Sequence, residues 1–161
     1  MTTLYAQPYS IDYVGFYFDS LEDFNSRMAQ LASNGCEEVE IQFIEGDLGQ
    51  ADFFERAGIC QSQIKLWFEE LEDLDHQALI ALSFLLSCGY NITGALERYQ
   101  EVSVQTISAV DYAYDLIDET VTVPESLRHY IDYEAIARDM LINNEIVEWS
   151  SAYLITNPLE F

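Results

Sequence analysis

Twenty-nine Asp and Glu residues against six Lys and Arg, a formal net charge of −23 on 161 residues, restrict this chain to folds that keep nearly every carboxylate in water. Buried charge is costly unless it is paired, and six cations cannot pair with twenty-nine anions. The acidity runs through the whole chain. Eleven acids and two bases fall in residues 1–57, six and two in 58–100, and twelve and two in 101–161. A disordered acidic tail would be one block poor in aromatics. Here 50% of residues are hydrophobic, with 11 Tyr and 9 Phe, so the chain folds and wears its carboxylates outside.

Such a field repels nucleic acid and anionic membrane and attracts basic proteins. Six scattered cations cannot supply a nucleic-acid footprint. If compact, a chain of this length is about 39 Å across. Duplex DNA carries one charge per ~1.7 Å of axis, so the molecule holds about as much negative charge as a DNA segment of its own size.

The N-terminus lacks a basic leader region, and the apolar stretch from Ala78 to Leu86 is too short to span a bilayer. Cys36, Cys60 and Cys88 match neither a disulfide framework nor a metal-binding pair and read as reduced thiols. A cytoplasmic protein is expected.

Local patterns predict an α+β fold of three small lobes with soft boundaries near residues 57 and 100. Strands are expected over Leu4–Gln7, Tyr13–Phe18 and Glu37–Glu45, with one helix opened by Ser20 and stopped at Asn34-Gly35. Next comes a helical bundle. Ile64, Trp67, Phe68, Leu71 and Leu74 follow helical spacing, Asp75 caps an apolar helix that Gly89 ends, and Asn91 caps a third. In the last lobe, Val102–Ile107 reads as a strand and Ser108 opens a helix through Glu119. Val110, Ala113, Tyr114 and Ile117 form its predicted apolar face. A helical region over Glu125–Met140 and a closing strand over Ile146–Ile155 follow.

Catalytic signatures are missing. His76 and His129 belong to no metal-ligating pair, no nucleophile elbow or phosphate-binding glycine pattern occurs, and Glu45–Gly49 lacks a calcium-ligand ladder. The expectation is no enzyme, no cofactor and no metal. Two readings of the charge then stand level: a salt-adapted surface, or a surface for a basic partner. Asp111, Asp115 and Glu119 accept like-charge contacts at four-residue spacing. Glu69, Glu70, Glu72, Asp73 and Asp75 crowd a helix end where the macrodipole disfavours anions. A functional field accounts for both sacrifices.

The segment Val123-Pro124-Glu125-Ser126-Leu127-Arg128-His129-Tyr130-Ile131-Asp132-Tyr133-Glu134 and its continuation to Met140 resembles the signature of the ArdA antirestriction proteins of plasmids and conjugative transposons. Ala113–Thr120 is similar to that family's acidic helix. Ile64-Lys65-Leu66-Trp67, Leu4-Tyr5-Ala6 and Gly15-Phe16-Tyr17-Phe18 match more loosely in the same order.

The resemblance implies an elongated protein, dimeric through its C-terminal lobe, that mimics DNA in the binding groove of type I restriction-modification enzymes. Its antirestriction motif falls at about Asp118–Asp132 and includes Val123, Pro124, Glu125, Ser126, Leu127, Tyr130 and Asp132. The mimicking acids expected in the first lobe are Asp19, Glu22, Asp23, Glu38, Glu40, Glu45, Asp47, Asp52 and Glu55. The middle lobe adds Glu69, Glu70, Glu72, Asp73 and Asp75. The last adds Asp111, Asp115, Asp118, Glu119, Asp132 and Glu134. Other basic nucleic-acid-binding proteins are the alternative partners.

Overall fold

The structure, a computed structural model, describes residues 2–161. The fold is α+β, with two small three-stranded sheets and a majority of helix. Two compact units divide the chain, the first ending at Leu79 and the second running from Ile80 to Phe161.

In the first unit, β1 (Thr3–Pro8) lies between β2 (Phe16–Phe18) and β3 (Val39–Glu45), antiparallel to both. Alternation decides which face packs. Leu4, Ala6, Phe16, Phe18, Val39 and Ile41 are buried, whereas Tyr5, Tyr17, Glu40 and Gln42 line the open face. Helix α1 (Leu21–Ser33) begins where the Ser20 hydroxyl accepts the Asp23 N–H, and it buries Phe24 against the rings of Phe16 and Phe18.

A second helix, α2 (Leu48–Ala57), was not expected beside α1. Asp47 accepts the Gly49 N–H while the Gln50 side chain accepts the Asp47 N–H, and Gly58 at φ +62° ends the helix in a left-handed cap. A Cβ at Gly49 would meet the His76 ring, which would have to shift to admit it. The helix buries Phe53 and Phe54.

The expected regular helix from Ile64 is instead one α-turn, α3 (Ile64–Leu66), followed by a π-turn over Trp67–Leu71. The wider turn brings Trp67 and Leu71 to the same side, both fully buried, and leaves Glu69 and Glu70 exposed. Trp67 meets Phe54 and Phe43 edge-to-face, with centroids 5.0 and 6.1 Å away. Helix α4 (His76–Ser87) follows, its Ala78 N–H bonded to Asp75 as the sequence suggested.

The second unit contains α5 (Ile92–Arg98), capped by Asn91, and α6 (Ala109–Thr120), capped by Ser108. It also contains α7 (Tyr133–Ile142), capped by Asp132. Its sheet orders β4 (Val104–Gln105), β6 (Tyr153–Ile155) and β5 (Val147–Ser150), all antiparallel. Three expectations change here. The closing strand is a hairpin, the strand at Val102–Ile107 shrinks to two residues, and Glu125–Met140 breaks into a 3₁₀ stretch and α7. On α6 the buried face is Ala109 and Ala113, flanked by Tyr112 and Leu116, so Val110 and Tyr114 remain exposed. Ala113 and Ala137 are both buried in the cluster between α6 and α7, where small side chains permit close helix approach.

Candidate functional site: a displayed carboxylate surface

Of the 29 carboxylates, 27 are exposed and none is buried; Asp23 and Glu72 are half-covered. Eighteen of the twenty acids predicted for the surface array therefore reach solvent. The predicted array omitted Asp12, Glu37, Glu97, Glu101, Asp139, Glu145, Glu148 and Glu160, and counted Glu125 only in the motif; all nine are exposed. Their signal was in the sequence, because a chain so short of cations must expose acids at almost any position.

Glu72 departs from the pattern. Its Oε1 accepts the Thr2 N–H at 2.7 Å and the Thr2 hydroxyl at 3.0 Å, and that hydroxyl in turn accepts the Trp67 indole N–H. Its backbone carbonyl takes the Gln50 side-chain amide. A separation of 70 residues hides this role from any local reading.

The cations pair close to home. Arg27, Arg56 and Lys65 sit one helical turn from Asp23, Asp52 and Glu69, and Arg98 pairs with Glu101. Glu101 raises the Arg98 guanidinium above its ordinary value, and the same group lies over the Phe161 ring. Arg128 reaches both Asp118 and Glu125. Arg138 makes no ion pair among the described residues. Paired acids are thus few, and most of the negative field remains uncompensated.

On α6, the 3.6-residue repeat sets Asp111, Asp115, Asp118 and Glu119 on one exposed side. The motif follows as surface chain. Pro124, Glu125, Ser126, Leu127, Tyr130 and Asp132 are exposed, Val123 is half-buried, and Tyr130 shows 83% of its surface. Asp132 also bonds the Ala135 N–H, so one carboxylate serves both field and fold.

No group of three or more His, Cys, Asp or Glu among the described residues could hold a metal ion. His129 is exposed. No helix of the described residues is long and apolar enough to cross a membrane. The thiols differ sharply. Cys36 is buried, whereas Cys60 is exposed and its Sγ lies 3.2 Å from the Ser62 hydroxyl, a contact that lowers its pKa. Iodoacetamide at neutral pH is expected to alkylate Cys60 before Cys88, and Cys36 only after unfolding. Peptide mass mapping checks the order, and equal rates at Cys60 and Cys88 would contradict it.

These features define a class: a small α+β protein whose distinguishing chemistry is an array of carboxylates held on folded elements. Residues 11–154 match the model of the ArdA family, described as antirestriction protein, and the chain belongs to that family. Membership points to a non-catalytic inhibitor whose partner is a restriction-modification enzyme. No curated protein matches the sequence.

Proposed function

We propose that this protein is a DNA mimic that occupies the DNA-binding groove of a type I restriction-modification enzyme. The observation that carries the reading is the exposure of 27 of 29 carboxylates in a chain of this family. A groove that grips phosphates with Lys and Arg cannot distinguish fixed carboxylates from DNA by charge alone. One helix face is too sparse to suffice. Asp111 and Asp115 are ~6 Å apart along the axis, whereas one DNA strand places a charge every ~3.4 Å.

Several elements must combine, and two copies extend the array further. We assign the dimer contact to the last lobe, where Leu127 and Tyr130 are exposed apolar groups beside the motif. Within the proposal the chain works in the cytoplasm as three lobes, 1–57, 58–100 and 101–161, and itself binds neither DNA nor membrane.

The test is an inhibition assay with a purified type I enzyme at varied DNA concentration. Inhibition should be relieved by excess DNA; inhibition independent of DNA would sink the reading. The combined change Asp111→Asn, Asp115→Asn and Glu119→Gln should weaken inhibition by about tenfold or more, each single change by less than about threefold. Thermal stability should hold or rise, because like-charge repulsion on α6 is relieved.

A further inference from the structure

Strand β3 is an edge, paired with β1 on one side only. In an antiparallel ladder, the backbone groups of alternate residues point away from the partner strand. The Val39 N–H marks which set does so, because it donates to the Gln61 side-chain oxygen at 2.9 Å instead of to β1. The Ile41 N–H and C=O therefore point outward as well. No hydrogen bond on that side reaches them among the described residues.

Gln61 shows how this edge is used. Its amide donates to the Glu37 carbonyl at 2.9 Å while accepting from Val39, which is the bonding that one residue of an added parallel strand makes through its own N–H and C=O. Beyond it the edge opens into a groove of about 440 Å³, with Val39–Phe43 on one side and Phe54, Glu55 and Ile59 on the other. Five residues of strand give a run of about 17 Å. A register shift ends the regular ladder past Phe43.

We propose that this groove takes an extended basic segment of a partner protein as a fourth strand. Side chains of an added strand alternate between faces. Those on the packed side would meet Phe54 and Ile59, and those on the open side would meet Glu38 and Glu40. The occupant is thus a segment that alternates apolar residues with Lys or Arg. A second copy of β3 fits badly, since it would bring Glu38, Glu40 and Glu45 against their own kind on chains that each carry −23.

DNA has no strand to offer an edge, so this contact goes beyond charge mimicry. That the segment belongs to the restriction enzyme rests on the proposed function; the peptide groove does not.

The full-length protein is titrated with a fluorescein-labelled seven-residue peptide alternating Lys or Arg with Val or Ile. A second peptide has the same sequence with N-methyl groups on alternate backbone amides. Charge is identical, but the methylated peptide cannot donate to β3. The unmodified peptide should bind about tenfold or more tightly. It should also slow hydrogen exchange at the Ile41 amide, and Glu55→Lys should weaken it by about threefold or more.

Equal affinity for the two peptides, or no protection at Ile41, overturns the proposal, because charge alone then holds the ligand. Neither arm contains DNA or a restriction enzyme. Failure here leaves the competition test untouched, and failure there leaves the groove.

Discussion

Inhibition is expected to fall by roughly 10³-fold when salt rises from 50 to 200 mM, if the array engages about six cationic groups of the target groove. Each contact releases condensed counterions, and the logarithm of the affinity falls linearly with the logarithm of salt. Two features of the structure set the slope. Most carboxylates are exposed without a cationic neighbour, so they hold an atmosphere that association must displace. Their axial spacing on α6 is nevertheless wider than that of phosphates on DNA.

The slope should therefore be steep, yet shallower than that of DNA on the same enzyme. Inhibition constants at four or five salt concentrations, with DNA affinity measured in parallel, check both statements. A flat profile would contradict the carboxylate array as the source of binding. A slope steeper than that of DNA would contradict the spacing argument.

The second large effect is on stability. Trp67→Ala should cost about 3–5 kcal/mol, the range for truncating a buried aromatic. Trp67 has no exposed surface, and it closes the first unit by contact with Phe43 of β3 and Phe54 of α2. Its indole N–H also begins the chain of bonds through Thr2 to Glu72. Against a typical stability of about 5–15 kcal/mol, such a loss leaves a substantial unfolded fraction. Trp67→Phe keeps most of the ring contact and should cost about 1–2 kcal/mol. Urea titration followed by far-UV circular dichroism separates the two variants, and a loss below about 1 kcal/mol for Trp67→Ala would show that the core closes without it.

Much of this fold was legible wherever a side chain states its role within four residues. Ser20, Asp75, Asn91 and Ser108 each cap the helix expected of them. The same kind of signal stands at Asp47 and Gln50, whose side chains cap α2, a helix the sequence reading did not include. The β5–β6 hairpin was hidden because its turn at Ser151-Ala152 has no Gly, Pro, Asn or Asp to announce it.

On α6, apolar spacing named Val110, Ala113, Tyr114 and Ile117; close packing within the cluster keeps Ala113, adds Ala109 and leaves Val110 and Tyr114 outside. The exposure of the acids followed from charge. The tie between Glu72 and Thr2, and the open edge of β3, depend on which strands and turns become neighbours, which no local pattern encodes.

The carboxylates stand in water before any partner arrives, and five of the six cations spend their pairing on nearby acids. Nothing has to be unburied, and few internal ion pairs have to break, at the moment of encounter. The consequence lies in time: association is set by diffusion, orientation and field, a regime in which oppositely charged partners meet at up to about 10⁸–10⁹ M⁻¹s⁻¹. Under the proposed function, the protein succeeds by being first to reach the basic groove.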